Sequence, residues 1–246
     1  MSSDTLKAEK EQRVSAAMLV AFAALLLGMM VVELIMVSST STAQTSYNDF
    51  VQNSSLSYVM SLFLAYLVIG ILGFIGTLGL VRTYGGGTGL LGDVARYSCA
   101  LYFFSSYWLW STTWIVQHKI TLLTSRPTTP PEWLLQIYEA SDALWSIGAW
   151  GAMGPSFVLF VCLGLLLLRG ARQLPRWSGW GFIALAVSQF LGLAFVGARG
   201  FGVANSGHLN FATLNDWVFT FGRVVVFLLA AASLYSERGV FVRTRR

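Results

Sequence analysis

Charged side chains inside long apolar segments are the residues of this sequence best suited to chemistry. Arg223 lies in the last apolar segment, seven residues after Asp216, while Glu33 and Asp142 lie near the ends of two other segments. An ion buried in a membrane costs on the order of a few kcal/mol unless it is paired or hydrated, so such residues mark ion pairs, ligand sites or proton-transfer groups. We expect Arg223 to face the interior and to pair with Asp142 or Glu33, with Asp216 as the local alternative. The alternative is that Arg223 forms a structural ion pair that sets the helix register.

A dense group of aromatic rings in the third apolar segment is a second candidate binding feature. Phe103, Tyr107, Trp110 and Trp114 follow an i, i+4, i+7, i+11 spacing and would share one face of an α-helix. Aromatic belts lie at the ends of membrane helices, yet Tyr107 lies near the middle of this segment. This face is suited to line a pocket for a flat apolar or cationic ligand, and lipid contact or core packing is the alternative. The predicted ligand-binding residues are therefore Arg223, Asp216, Asp142, Glu33, Tyr107, Trp110 and Trp114.

Other motifs in the chain do not predict catalysis or a cofactor. Gly87, Gly89 and Gly92 spell G-x-G-x-x-G, but the strand and the βαβ unit that a dinucleotide site requires are missing. His118 and His208 lack the cysteine or clustered carboxylate partners of a zinc site. No serine lies beside a base in a recognisable nucleophile motif. We predict no catalytic residue, metal or cofactor, and leave open an intramembrane acid or base among the buried carboxylates.

The composition indicates the elements that must position these residues. Of 246 residues, 55% are hydrophobic and 11% are charged, against about 25% charged in soluble domains. Apolar runs of about twenty residues are long enough to cross a bilayer core of about 30 Å. We predict an all-α membrane bundle over residues 14–236, a cytoplasmic tail over 1–13 and a basic cytoplasmic tail over 237–246. The six predicted spans are Val14 to Val37, Leu56 to Val81, Ser98 to Gln117, Ala143 to Leu168, Gly179 to Ala198 and Asp216 to Tyr235.

The distribution of lysine and arginine predicts the orientation. With the N-terminus inside, twelve of the sixteen basic residues fall on the cytoplasmic side, and an even number of spans returns the C-terminus there. Scattered between spans, these residues form no single basic face, so a nucleic-acid partner is not expected. The twelve are Lys7, Lys10, Arg13, Arg82, Arg96, Arg169, Arg172, Arg176, Arg238, Arg243, Arg245 and Arg246.

Small residues and one proline predict how two of the helices behave. Gly70, Gly73, Gly76 and Gly79 recur every third residue in the second span, which favours close approach of neighbouring helices. Pro155 lies in mid-span and removes a backbone donor, so we expect the fourth helix to bend by more than about 20° or to unwind locally at this point.

One stretch of the sequence resembles a known family. It comprises Gly148 to Pro155, the leucine-rich run and basic turn from Leu165 to Arg172, and the segment from Leu174 to Gly181 that begins with the letters LPRW. Over roughly residues 146–181 it resembles a family of six-helix bacterial membrane proteins that is classed as a domain of unknown function. The resemblance implies a six-helix fold in a bacterial cytoplasmic (inner) membrane. It implies no activity and no site residue.

The functional prediction follows from the outer half of the bundle, where the polar groups and the aromatic rings come together. We predict a protein that binds or transports a small apolar molecule or a lipid through an outward-facing polar and aromatic cavity. One alternative is a non-catalytic accessory subunit of a larger membrane complex, with membrane proteins as partners. A second alternative is an intramembrane enzyme that uses Glu33, Asp142 or Asp216 as acid or base.

Overall fold

The computed structural model describes residues 3–38, 56–85, 89–109, 132–170, 172–200 and 211–236, and within them the side chains mainly of 6–31, 63–85, 89–109, 152–170, 172–191 and 219–236. These ranges contain six α-helices and no strand, which confirms the all-α prediction. The helices are α1 (Ser3–Ser38), α2 (Leu56–Tyr84), α3 (Leu90–Phe103), α4 (Glu132–Leu168), α5 (Gln173–Gly200) and α6 (Phe211–Ser236); α3 continues as a π-helical segment, Phe104–Leu109.

Three helices of the described part are long and apolar enough to cross a membrane. The qualifying segments are Leu6–Val31 in α1, Phe63–Tyr84 in α2 and Phe219–Ser236 in α6. A shorter apolar segment, Ala152–Leu168, forms the second half of α4. Each of these four segments overlaps one of the predicted spans, because runs of Leu, Val, Ile, Phe and Ala both form helices and favour burial in an apolar solvent.

The connection between α2 and α3 is shorter than the sequence predicts. The predicted second and third spans leave residues 82–97 between them, but α2 continues to Tyr84 and α3 begins at Leu90, so Gly92 lies in its first turn. The amide of Asp93 donates to the Gly89 carbonyl over 3.0 Å, which is the first hydrogen bond of the helix. Gly89 thus precedes α3 and Gly92 lies in its first turn, with no strand before them in the described residues, while Gly87 lies outside the described residues.

The helices form a closed ring in which each packs against its neighbour in the sequence and α6 packs against α1. Short connections explain part of this order, since a tight turn makes consecutive helices antiparallel neighbours. Aromatic rings fill the centre. Phe22 of α1 lies edge-to-face with Phe103 of α3 and Phe227 of α6, at centroid distances of 5.8 and 5.0 Å. Phe182 of α5 contacts Phe227 at 5.2 Å and Phe160 of α4 at 5.8 Å.

The four glycines of α2 are close-contact positions, as their spacing predicts. A Cβ atom on any of them would overlap a neighbouring side chain. Because a step of three residues advances by about 300° around an α-helix, the glycine row winds around α2 and does not stay on one face. Accordingly, the row passes from one neighbour to the other: Gly70 lies against Tyr107, Gly73 against Phe103 and Phe22, Gly76 against Leu19, and Gly79 against Ser15.

Helices α4 and α5 approach each other backbone to backbone near the turn that joins them. A Cβ on Gly164 would lie 3.0 Å from the Gly179 carbonyl oxygen, and a Cβ on Gly179 would lie 2.9 Å from the Gly164 carbonyl oxygen. Beside this contact the hydroxyls of Ser178 and Ser233 share a buried 2.9 Å hydrogen bond between α5 and α6. Pro155 lies inside a helix assigned without interruption from Glu132 to Leu168, so no local unwinding is seen there. The bend predicted at Pro155 stays a prediction.

One end of the ring gathers the N-terminus of α1, the C-terminus of α6, the α2–α3 connection and the α4–α5 turn. Gln12 donates through Nε2 to the Leu234 carbonyl over 2.9 Å, so the segment predicted as an N-terminal tail is helical and packs against α6. An Nη1 hydrogen of Arg172 is donated to the Ser236 carbonyl. We call this end the basic end, because it carries Arg13, Arg82, Arg96, Arg169, Arg172 and Arg176.

Candidate functional site

The guanidinium of Arg223 lies between α6 and α3. It donates through Nη1 to the Tyr102 hydroxyl over 3.1 Å and through Nη2 to the Thr220 hydroxyl over 3.2 Å. Its Cζ lies 4.7 Å from the centroid of the Phe219 ring, which is a cation–π contact. Nε is buried and has no hydrogen-bond acceptor among the described residues. Arg223 is thus held by hydroxyl groups and a ring face.

Two further tyrosines interact electrostatically with the same cation. Tyr107 is buried, and its hydroxyl interacts electrostatically with Tyr102 and Arg223, although no group of the described chain meets hydrogen-bond geometry with it. Tyr66 of α2 also interacts electrostatically with Arg223. We call this group the Arg223–tyrosine cluster: Arg223, Tyr66, Tyr102 and Tyr107. The oxygen ends of phenol dipoles favour a neighbouring cation, and they partly replace the water that it has lost.

The π-helical segment brings two of these tyrosines to the same side. Residues five apart in an α-helix point about 140° away from each other, whereas a π-helix pairs residues i and i+5 along one face. Tyr102 and Tyr107 are five residues apart, and their rings meet edge-to-face at 6.2 Å. Sequence reasoning did not anticipate this segment, because no residue type signals a π-helix. The unusual density of aromatic residues was the available hint.

Two of the four residues predicted to form the aromatic face of the third span are among the described residues. Phe103 and Tyr107 both lie buried and stack with centroids 5.6 Å apart and planes 22° apart. Trp110 and Trp114 lie outside the described residues. Phe104 and Trp108 point out of the bundle instead, with 51% and 54% of their surface exposed.

The carboxylates predicted to pair with Arg223 are located in helices, but their side chains are not among those described. Glu33 lies in α1, Asp142 in α4 and Asp216 in α6. Their pairing with Arg223 stays a prediction. An ion pair within the described side chains joins Arg96 to Asp93 over 2.9 Å, and it belongs to the basic end.

An apolar groove of about 310 Å³ opens between α2 and the junction of α3 with the π-helical segment. Gly70 of α2 and Tyr107 both line it, and α2 contacts Tyr107 closely at this glycine. One surface of Tyr107 lines the groove, while its hydroxyl belongs to the Arg223–tyrosine cluster. The rest of the wall is hydrocarbon and aromatic: Leu67, Ile71 and Phe74 on one side, and Phe103, Phe104 and Trp108 on the other.

In the part of the chain that the structure describes, no three His, Cys, Asp or Glu side chains are grouped closely enough to hold a metal ion. Cys99 and Cys162 are buried, free thiols on different helices. His118 and His208 lie outside the described residues.

Comparison with family models, curated proteins and solved structures finds no match for this chain. The resemblance over residues 146–181 therefore stays a prediction. The groove and the Arg223–tyrosine cluster meet at Tyr107.

Proposed function

We propose that this chain is a six-span membrane protein that binds a small, largely apolar molecule or a lipid in the groove between α2 and α3. The observation that carries the proposal is the double position of Tyr107, whose ring lines the groove while its hydroxyl lies in the Arg223–tyrosine cluster. An apolar ligand in the groove would contact hydrocarbon and aromatic side chains, which is the lining typical of small-molecule sites.

We propose that Arg223 positions the wall of the groove from the side that faces the bundle interior. Its hydrogen bond to Tyr102 and its electrostatic interaction with Tyr107 hold two rings of α3 and the π-helical segment against α6. A wall whose hydroxyl groups lie beside this cation inside the bundle presents its apolar ring surface to a ligand. Preorganisation of this kind lowers the entropy lost on binding.

The six-span arrangement and the orientation are parts of the same proposal. At a rise of about 1.5 Å per residue, α4 and α5 are each longer than the roughly 30 Å of a bilayer core, and α3 with its π-helical segment is near that length. The arginines of the basic end cluster where the bundle would meet the cytoplasm. We therefore place both termini on the cytoplasmic side of a bacterial inner membrane.

The proposal is tested by filling the groove. Ile71 lines the groove and is half exposed, whereas Val68 is similarly exposed on the same helix and is not part of the lining. We expect the parent and Val68→Trp to retain a co-purifying apolar molecule in native mass spectrometry after gentle solubilisation, and Ile71→Trp to lose most of it. Equal retention by the two variants would show that the groove is not the site. A parent that retains nothing and stays monodisperse only with a partner protein would favour the accessory-subunit alternative.

A further inference from the structure

The α4–α5 turn concentrates positive charge at the membrane-facing edge of the basic end. Arg169, Arg172 and Arg176 fall within eight residues, and all three are exposed. In the sequence, no acidic residue occurs between Asp142 and Asp216, so the two helices joined by this turn contribute no carboxylate near it. The turn therefore presents a local excess of three positive charges.

Two of these guanidinium groups are held in place by the fold. Arg176 donates through Nε to the Gly170 carbonyl over 3.1 Å, and Arg172 donates through Nη1 to the Ser236 carbonyl. Both carbonyls lie at or just after helix C-termini, where backbone acceptors lack partners within the helix. A guanidinium has five N–H donors, so one hydrogen bond fixes its position and leaves others available to a phosphate.

Two tryptophans lie next to the arginines at the start of α5. Trp177 is 67% exposed and Trp180 is 61% exposed. Indole rings with this exposure next to the polar end of a spanning helix are typical of the interface between lipid headgroups and hydrocarbon. The apolar half of α4 ends at Leu168, directly before Arg169. In the proposed membrane arrangement, the three guanidinium groups lie at the depth of lipid phosphates, beside rings at the depth of the glycerol region.

We propose that Arg169, Arg172 and Arg176 form a binding site for the headgroup of an anionic phospholipid. The arginines contact the phosphate by charge-assisted hydrogen bonds, and Trp177 and Trp180 contact the upper part of the acyl chains. The preference for an anionic over a zwitterionic lipid comes from the three positive charges of the turn. This site rests on the proposed membrane-spanning arrangement, but it is separate from the groove between α2 and α3 and can be present or absent independently of a ligand there.

The test compares lipid retention by the full chain in detergent, using equal amounts of phosphatidylglycerol and phosphatidylcholine and native mass spectrometry. A basic residue near a membrane surface contributes about 1 kcal/mol of attraction to anionic lipid, so each Arg→Gln change should lower the ratio of retained phosphatidylglycerol to phosphatidylcholine roughly fivefold. The triple change Arg169→Gln, Arg172→Gln, Arg176→Gln should bring the ratio close to that of the free mixture. The matched control Arg238→Gln, Arg243→Gln, Arg245→Gln removes the same charge and should keep most of the parental ratio.

Two additional measurements distinguish loss of the lipid site from loss of helix-end contacts and from binding of free phosphate. Because Arg172 and Arg176 also support helix ends, the single change Arg169→Gln tests the site without removing those contacts, and it should still lower the ratio. Inorganic phosphate added at the lipid concentration should not displace phosphatidylglycerol. An unchanged ratio in Arg169→Gln and in the triple variant, an equal loss in the C-terminal control, or displacement by inorganic phosphate would each overturn the proposal.

Discussion

Arg223 of α6 donates a hydrogen bond of 3.1 Å to the hydroxyl of Tyr102, 121 residues earlier in α3. This contact crosses the bundle and joins a charged donor to a neutral phenol in an environment built from aromatic rings. The Phe219 ring covers one face of the same guanidinium. The stability of the bundle should therefore be sensitive to the groups around this cation.

Removing the phenol that accepts from Arg223 should destabilise the protein. Tyr102→Phe keeps the ring packing and deletes the acceptor, so we expect a loss of roughly 1 to 3 kcal/mol in the free energy of unfolding, the range for a hydrogen bond to a charged group. Tyr97→Phe is the control, because Tyr97 is exposed on the same helix. Unfolding in mixed micelles would measure both variants. Equal stability of Tyr102→Phe and the control would mean that the hydrogen bond contributes nothing.

The predicted carboxylate partner of Arg223 can be identified by compensation. Arg223→Leu should destabilise the protein by about 3 to 5 kcal/mol if it leaves a buried carboxylate unpaired. Neutralising the true partner in the Arg223→Leu background should then recover much of that loss, as a double-mutant cycle would show. We test Asp142→Asn and Glu33→Gln first and Asp216→Asn next, with Glu11→Gln as an exposed control. The pairing prediction fails if none of the three recovers more stability than the control.

The glycine row of α2 should not tolerate side chains, unlike Gly28 of α1. At Gly76 an added methyl group would overlap Leu19, and overpacking costs about 1 to 3 kcal/mol. At Gly28 nothing lies within 4 Å of the added atom, so Gly28→Ala should be neutral or stabilising by up to about 1 kcal/mol. Thermal unfolding of Gly76→Ala and Gly28→Ala compares the two positions directly. A similar melting temperature for both variants would contradict the close-contact role of the row.

The proposed orientation predicts the location of reporter fusions. Reporters inserted in the α2–α3 connection and after Arg172 should be cytoplasmic, because the basic end is the inner end. Reporters in Thr40 to Ser55 and in Thr124 to Trp133 should be external. Alkaline phosphatase and fluorescent-protein fusions distinguish the two sides. An external reporter at Arg172 would invert the topology.

The sequence alone determined the helical class, the approximate positions of the helices and the close-contact role of the α2 glycines. These properties depend on local patterns: an apolar run of about twenty residues favours a helix whatever its neighbours are, and a missing Cβ permits close approach to any partner. The same local information placed Arg223 in an apolar segment and indicated that it needs polar partners.

The tertiary structure alone decided which groups surround Arg223 and where the groove opens. The helical repeat indicates which residues share a face of one helix. The height at which α6 passes α3 depends instead on packing along the whole interface, so the sequence did not indicate Tyr102 as a partner of Arg223. The π-helical segment adds to this, because it changes the angle between successive residues and turns Tyr102 and Tyr107 to one side. The groove likewise requires Gly70 of one helix to lie opposite Tyr107 of another, a relationship between distant residues that spacing within either helix does not contain.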